Sequence, residues 1–146
     1  MRVHLEPPSD FDPSVHVAAI FLQHGERFLF LLRNVEKEEG NKWGMPAGKR
    51  DEGESVEATV VRELMEETGV QISQNDLGRY MRGYTRFPEH DFVFDMYHAE
   101  LSQEPEVQIA HEEHQDYRWM TIEEALASNL VMGNDECIRK FFGLEE

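Results

Sequence analysis

The chain has 146 residues, with 30 Asp and Glu against 14 Lys and Arg, so its formal net charge is −16. A chain of this length forms about one domain around one hydrophobic core, and we expect a single domain over residues 1–146. The negative charge repels phosphate backbones and argues against a nucleic-acid polymer as partner, whereas bound divalent cations can still bring in a small phosphorylated ligand.

Cysteine content and hydropathy indicate where the protein works. Cys137 is the single cysteine, which excludes an internal disulfide. No segment approaches the roughly 20 apolar residues that cross a bilayer, and residues 1–11 lack the apolar run of a signal peptide. We therefore expect a cytoplasmic protein without a membrane partner, and the sequence is compatible with a monomer or a homodimer.

Two strands and a loop are predicted for the first third of the chain. Residues 15–23 and 27–33 are apolar on both faces, as is typical of central strands in a covered sheet, and a turn at residues 24–26 joins them. Residues 36–51 are rich in glycine and charge and predict a long loop. Long loops in small domains often carry function.

A helix is predicted from Glu54 to Thr68. Apolar residues recur there at helical spacing, and Gly69 supplies a stop signal. The predicted apolar stripe comprises Ala58, Val61, Leu64, Met65 and Thr68.

The second half predicts more strands and then two helices. Residues 78–87 and 91–101 are predicted as strands around a turn at Pro88, and residues 117–120 as a short strand.

The two C-terminal helices are indicated by their caps. Thr121 and Glu124 form a capping-box pattern for a helix that extends to about Ser128, and residues 135–142 predict a last helix that ends at Gly143. Because strands and helices are mixed along the chain, we predict an α/β fold, an α/β/α sandwich with a mixed sheet.

Three glutamates stand on one side of the first predicted helix. With 3.6 residues per turn, Glu63, Glu66 and Glu67 lie within an arc of about 100°. Like charges at these spacings cost roughly 0.2–0.5 kcal/mol per pair, and the helix dipole disfavours anions in the C-terminal half. Two interpretations follow: a solvated acidic face, or a site for a hard cation such as Mg²⁺, which prefers oxygen ligands.

The surrounding sequence favours the cation site, because it matches the pattern G-x5-E-x7-R-E-U-x-E-E-x-G-U, in which U is apolar. All nine defined positions are present in a span of 23 residues: Gly48, Glu54, Arg62, Glu63, Leu64, Glu66, Glu67, Gly69 and Val70. This pattern is the Nudix box, and the chain resembles the Nudix hydrolase family, of which MutT is a member.

The resemblance implies a fold, a reaction and a set of metal ligands. Nudix proteins share an α/β/α sandwich and typically hydrolyse nucleoside diphosphates linked to another group. Carried over by position, the ligands of Mg²⁺, or of Mn²⁺ in its place, are the carboxylates of Glu63, Glu66 and Glu67 and the carbonyl of Gly48.

A supporting ion pair and a general base are also implied. Glu54 and Arg62 resemble the pair that orients the helix and its ligands in the family. The base is either a box glutamate, for which Glu63 is our choice, or a glutamate from a later loop.

A further ligand is expected outside the box, in the segment His111-Glu112-Glu113-His114. The spacing from Glu113 to Trp119 resembles the arrangement by which some Nudix members add a metal ligand, and we favour Glu113 over Glu112. The alternative is a pair of exposed acids on a loop. The segment is not a zinc-protease motif, because H-E-x-x-H places its histidines four residues apart and these are three apart. We interpret the other histidines, including His16 and His98, as packing or surface residues.

Substrate contacts are predicted from scattered residues. Arg33 ends the LLR pattern that many Nudix members share, and Lys49 follows the first glycine of the box. Each is expected either to contact a substrate phosphate or to form a surface ion pair.

Aromatic residues are the other candidates for substrate binding. Trp43 stands in a segment that resembles the family's lead-in to the box, with Ala47 in place of a glycine. Tyr84, Phe87 and Tyr97 are expected either to stack on a base or to pack in the core.

The function predicted from these features is Mg²⁺-dependent hydrolysis of a pyrophosphate bond in a small nucleotide, a nucleoside triphosphate or a nucleoside diphosphate derivative. The alternatives are hydrolysis of ADP-ribose, a sugar nucleotide or a dinucleoside polyphosphate, and nucleotide sensing without turnover. The net charge and the lack of an extended basic patch argue against RNA decapping.

Overall fold

A computed structural model describes residues 3–86 and 91–144 of the chain. Within them lie eight strands: β1 (Val3–His4), β2 (Pro13–His24), β3 (Arg27–Arg33), β4 (Trp43–Gly44), β5 (Ala47–Lys49), β6 (Tyr80–Arg86), β7 (Asp91–Leu101) and β8 (His114–Met120). The helices are α1 (Val56–Thr68), α2 (Ile122–Leu126) and α3 (Asn134–Phe142), with a short 3₁₀ helix at Gln74–Asp76. None of the described helices is long and apolar enough to cross a membrane.

The strands form one mixed sheet. Its order is β1-β6-β7-β2-β3-β4, with β5 paired to β2 and β8 paired to β3. The pairing of β2 with β7 is parallel, and the other strand pairs are antiparallel. β2 and β3 pair only beside their turn, at Gln23–Phe28 and His24–Arg27, and farther along β2 the partner is β5. This switch brings the start of the Nudix box against the centre of the sheet.

The sheet has a hydrophobic core on each face, as its apolar central strands require. One core joins the sheet to α2 and α3 and contains Phe21, Phe30 and Phe141, while the other joins it to α1 and contains Leu31 and Leu64. Residues that alternate along β2 and β3 point into opposite cores, because successive side chains of a strand face opposite ways. The predicted α/β/α sandwich with a mixed sheet is confirmed.

Several predicted boundaries were wrong. The predicted loop at 36–51 contains β4 and β5, which are two and three residues long and too short to give a periodic pattern. The strand predicted at 117–120 begins at His114, and the strand predicted from Gly78 begins at Tyr80. The segment before the first predicted strand, for which no element was predicted, contains β1, which pairs with β6. The turn predicted at Pro88 lies outside the described residues.

The face that α1 buries also differs from the prediction. The helix begins after Ser55, whose side chain accepts a hydrogen bond from the Ala58 N–H, and ends at Gly69, which has a φ of 72°. Its buried residues are Thr59, Val60, Leu64, Glu67 and Thr68. Met65 is 48% exposed, so its place in the predicted stripe was wrong. A carboxylate, that of Glu67, occupies a position on the buried face that hydropathy assigns to an apolar residue.

Candidate metal centre and active site

The three glutamates of α1 occupy three different environments. The side chain of Glu66 is 58% exposed and that of Glu63 is 17% exposed, whereas Glu67 is buried with 6% of its surface exposed. The exposure of the three carboxylates therefore decreases from Glu66, which faces solvent, through Glu63 to Glu67, which lies in the core. An acidic face that only served solubility would not bury one of its carboxylates, because burial of an unpaired charge is costly.

Arg62 gathers the acidic residues around its guanidinium group. Its Nε donates to Glu54 Oε2 at 2.7 Å and its Nη2 to Glu54 Oε1 at 3.0 Å, while its Nη1 donates to Glu63 Oε1 at 2.8 Å and lies 3.3 Å from Glu66. Nη2 also donates to the carbonyl of Lys49 at 3.1 Å. The Arg62 hydrogen bonds hold the pKa of Glu54 at about 2, and the Glu54 carboxylate raises the pKa of Arg62. The predicted ion pair of Glu54 and Arg62 is present, and the hydrogen bond from Arg62 to the Lys49 carbonyl links α1 to β5.

Glu54 is held from two further directions. Its Oε1 accepts hydrogen bonds from the Thr59 hydroxyl at 2.8 Å and from the backbone N–H of Asp51 at 3.2 Å. These contacts connect the loop before α1 with the first turn of the helix. Side-chain contacts therefore hold the loop before α1 to the helix that carries the candidate ligands.

Gly48 lies directly beneath the side chain of Glu63. A Cβ atom at position 48 would overlap Cγ, Cδ and Oε2 of Glu63. The backbone of Gly48 pairs with Ala18 of the central strand β2, so it has little freedom to retreat. The absence of a side chain at Gly48 is therefore what lets the Glu63 carboxylate lie against the backbone of β5.

Glu67 is a buried acid that contacts the backbone of β5. Its Oε1 accepts a hydrogen bond from the Ala47 N–H at 3.1 Å. Burial raises the pKa of Glu67 to about 9, and the charges of Glu63 and Glu113 add to the effect. Burial also raises the pKa of Glu63. A carboxylate in this state fits a cation site, because a bound cation reverses the electrostatic penalty of ionisation.

Glu113 and His114 complete this cluster from the other side. Carboxylate oxygens of Glu67 and Glu113 and an imidazole nitrogen of His114 all lie within 4.8 Å of one another. The grouping contains Glu113 and not Glu112, and the role of Glu113 as a metal ligand stays a prediction. Desolvation lowers the pKa of His114, which favours the neutral imidazole. Sequence reasoning missed His114; its one available signal was its position next to Glu113.

The two basic candidates differ in position. Arg33 pairs with His114 across β3 and β8, which places its backbone beside the acidic cluster, and its Nε donates to the carbonyl of Glu38 at 2.9 Å. Lys49 is exposed, and its carbonyl accepts the hydrogen bond from Arg62. Both lie near the box, and their contacts with phosphate stay predictions.

The aromatic candidates are more dispersed. Trp43 is half-buried against the α2/α3 core, with the guanidinium group of Arg118 over its ring at 5.1 Å. Tyr84 stacks edge to face with Phe11, with ring centroids 5.4 Å apart, in the sheet region formed by β1 and β6. Tyr97 donates its hydroxyl hydrogen to Glu57 Oε1 at 2.5 Å and packs in the α1 core. Phe87 lies outside the described residues.

A second polar group on the sheet was also missed. Asp95 is 1% exposed and accepts hydrogen bonds from the Tyr80 hydroxyl and from Arg82, whose Nε is 2.7 Å from Oδ1. Its partners sit on the neighbouring strand β6, so only strand pairing reveals the group.

The family assignment follows from comparison with known proteins. The family model described as the NUDIX domain matches residues 11–141. This chain belongs to the Nudix family. The prediction of membership in the Nudix family is thereby confirmed.

Individual Nudix proteins are similar to this chain over most of its length. Nudix hydrolase 1 of Caenorhabditis elegans is 28% identical over 124 residues, which cover 84% of this chain and 33% of that protein. The CTP pyrophosphohydrolase of Escherichia coli (strain K12) is 26% identical over 136 residues, which cover 89% of this chain and 93% of that protein. The chain thus spans about a third of the length of the first relative and nearly all of the second.

The fold is also found in a solved Nudix structure. The crystal structure of a MutT protein from Methanosarcina mazei superposes with a TM-score of 0.74 at 21% identity, covering 90% of this chain and 94% of that one. At this identity the likeness concerns the fold alone.

Proposed function

We propose that this chain is a Mg²⁺-dependent pyrophosphohydrolase that cleaves a pyrophosphate bond in a small nucleotide, either a nucleoside triphosphate or a nucleoside diphosphate derivative. The observation that carries the proposal is the convergence of Glu63 and Glu67 from α1 with Glu113 from the segment before β8. These residues would hold the divalent ion together with Glu66 and the carbonyl of Gly48, and Mn²⁺ would serve as a substitute.

The chemistry divides between the ion and the protein. When bound, a divalent ion neutralises the charge of the polyphosphate and makes water more acidic. The side chain of Glu63, shielded from solvent and held by Arg62, is our candidate to accept the proton of the attacking water, with Glu113 as the alternative from the later loop. Glu54 acts through Arg62, whose position it holds.

Positioning of the substrate is assigned to four residues. Arg33 and Lys49 would bind phosphate oxygens, because their charges lie near an otherwise acidic site. Trp43 and Tyr84 would contact the nucleoside. In this proposal residues 1–146 form a single domain whose partner is a small nucleotide, and the cytoplasm and a monomeric or homodimeric state stay predictions.

The choice of substrate is guided by one relative. The E. coli protein named CTP pyrophosphohydrolase matches nearly the full length of this chain, which favours nucleoside triphosphates as the first substrates to test. ADP-ribose, sugar nucleotides and dinucleoside polyphosphates are the alternatives. The box carboxylates are all retained, which favours turnover over nucleotide sensing.

The test is an assay of the purified protein with Mg²⁺ against a panel of nucleoside triphosphates, ADP-ribose, sugar nucleotides and dinucleoside polyphosphates. We expect hydrolysis of at least one compound and loss of that activity in Glu66→Gln. Glu123→Gln is the matched control, because Glu123 is exposed on α2, away from the box. Inactivity toward the whole panel, or equal activity of the two variants, would contradict the proposal.

Substituting Gly48 with Ala is expected to lower kcat by at least about 10-fold while the protein stays folded. The added methyl group displaces the Glu63 side chain rather than the backbone. The fold is therefore kept, whereas the Glu63 carboxylate moves out of its catalytic position and kcat falls. Steady-state kinetics and thermal unfolding of the same preparation check this. An unchanged kcat in Gly48→Ala would show that turnover does not require the Glu63 carboxylate to lie against the backbone of β5.

Arg62→Lys is expected to lower kcat/KM about 10- to 100-fold, the range seen when groups that support metal ligands are changed. A lysine ammonium cannot bind both oxygens of Glu54 and also reach Glu63, as the guanidinium group does. The control is Arg27→Lys, because Arg27 is an exposed arginine at the start of β3 whose Nε lies 3.8 Å from Glu124 Oε1 on α2. Equal kinetics for the two variants would rule out a special role for Arg62.

A further inference from the structure

His114 is a buried histidine with an unpaired nitrogen. The residue is only 6% exposed, and its Nδ1 has no hydrogen-bond partner among residues 3–86 and 91–144. A buried polar atom left without a partner costs roughly 1–3 kcal/mol, so such atoms are rare in folded proteins. The imidazole also lies within 4.8 Å of carboxylate oxygens of Glu67 and Glu113. This combination indicates a partner that the polypeptide does not supply.

An irregularity in the sheet aims His114 at α1. On β8, Asp116 pairs with Leu32 and His114 pairs with Arg33, so Gln115 is an extra residue in a bulge. Without the bulge, His114 would share a sheet face with Met120, which packs in the α2/α3 core. The extra residue moves His114 to the opposite face, where α1 and Glu67 lie. Bulges often re-aim a side chain beside an active site.

Backbone hydrogen bonds hold the cluster together. The Ala110 N–H donates to the carbonyl of Glu67 at 3.1 Å, and the His114 N–H donates to the carbonyl of Ala110 at 3.2 Å. The Asn34 N–H donates to the carbonyl of Glu113 at 2.9 Å. These bonds tie the segment before β8 to the ends of α1 and β3. The side chains therefore meet because of the backbone, although the two carboxylates repel each other.

We propose that His114 is a nitrogen ligand for a divalent cation that Glu67 and Glu113 also bind, and that this position prefers a transition-metal ion such as Mn²⁺ to Mg²⁺. The inference rests on the proposed function, and it divides the proposed metal site into two positions, one with a nitrogen ligand and one with oxygen ligands only. Imidazole suits transition ions, whereas Mg²⁺ prefers oxygen ligands and retains several waters. Glu63 and Glu66 offer oxygen alone, so a position formed by them is suited to Mg²⁺.

The spread of the three ligand atoms is compatible with this role. Ligands on opposite sides of an ion, with bonds of about 2.1 Å, lie about 4.2 Å apart, and the ligand atoms here all lie within 4.8 Å of one another. Glu113 is exposed and can supply the difference by a small side-chain rotation. The buried members, Glu67 and His114, need to move little.

The test is binding of Mn²⁺ alone, without substrate, followed by electron paramagnetic resonance. In the wild-type protein, the spin-echo signal of bound Mn²⁺ is expected to carry a ¹⁴N modulation that changes when the histidines are labelled with ¹⁵N. In His114→Asn, the modulation should disappear and the Kd for Mn²⁺ should rise about 10-fold, the lower end of the range for changes around a metal site. The Kd for Mg²⁺, measured by calorimetry, should change less than about 3-fold.

His111→Asn is the matched control, because His111 is an exposed histidine of the same segment. It should retain both the modulation and the wild-type Kd for Mn²⁺. Mn²⁺ that binds the wild-type protein without a histidine modulation would overturn this inference and leave the proposed function intact. A wild-type protein that binds neither Mn²⁺ nor Mg²⁺ would overturn both. The labelling experiment uses the wild-type chain, so it decides the question even where His114→Asn fails to fold.

Discussion

Replacing Glu67 with Gln is expected to lower kcat/KM by at least about 100-fold and, at the same time, to stabilise the metal-free protein. The loss of activity follows from the loss of a charged ligand, which should exceed the 10- to 100-fold effect of changing a supporting group. The gain in stability follows from the burial of Glu67, which costs free energy when a carboxylate must be kept there without a cation. Gln keeps the shape and can accept the hydrogen bond from Ala47.

The gain should depend on pH. The pKa of Glu67 is about 9 in the folded protein, against 4.5 for an ordinary glutamate. Between these values the unfolded chain has released a proton that the folded protein keeps, so the wild-type stability falls as pH rises. The effect is absent below about pH 4.5 and reaches at most about 3–4 kcal/mol at pH 7, because that pH lies about 2.5 units above the unfolded pKa and one unit corresponds to about 1.4 kcal/mol. Gln does not titrate, so residue 67 no longer makes the free energy of unfolding fall with rising pH in Glu67→Gln.

Urea unfolding in the presence of a chelator, at pH 5 and pH 8, measures the effect. The difference in the free energy of unfolding between Glu67→Gln and wild type should be larger at pH 8. Glu66→Gln is the comparison, because the side chain of Glu66 is 58% exposed and its replacement should change stability by less than about 0.5 kcal/mol. The same stability difference at both pH values would mean that Glu67 is ionised in the metal-free protein.

Leu64→Ala is expected to cost about 2–5 kcal/mol of unfolding free energy, the range for truncating a fully buried leucine. Leu64 is 1% exposed and packs in the core between α1 and the sheet. Its loss leaves a cavity next to a helix that carries three of the candidate ligands. A loss of stability of this size would also lower the temperature at which activity disappears.

Met65→Ala is the matched control for Leu64→Ala, since it changes the next residue of the same helix. Met65 is 48% exposed, so its truncation removes little buried surface, and we expect a change of less than about 1 kcal/mol. Chemical denaturation of both variants with chelator present measures the two values. Similar losses in the two variants would show that α1 is rotated about its axis relative to this structure.

Local features of the chain were predictable because they depend on residues close in sequence. Three features of this kind were predicted, and each involves residues at most eight positions apart in the sequence. They are the end of α1 at Gly69, the capping box of Thr121 and Glu124, and the ion pair of Glu54 and Arg62. The central strands were predictable because they are apolar on both faces, a pattern that few other structures produce. These predictions needed only periodicity and the box.

The environments of the ligands were not predictable in this way. Hydropathy cannot show that Glu67 is buried while Glu66 is exposed, because the direction of α1 relative to the sheet depends on packing. For the same reason Met65 was predicted on the wrong face. The short strand β5, which brings Gly48 under Glu63, gives no periodic signal at three residues.

By itself, the sequence determined the family and the identity of the box carboxylates. The box is defined by residue types at fixed spacings along one loop and one helix, and those spacings can be read without knowing the tertiary structure. Only the tertiary structure decided that His114 joins Glu67 and Glu113. The pairing of β3 with β8 and a one-residue bulge within it place His114, and the backbone hydrogen bond from the Ala110 N–H to the Glu67 carbonyl joins this segment to α1. Strand register between segments some 80 residues apart depends on the whole sheet, so no local pattern could have revealed it.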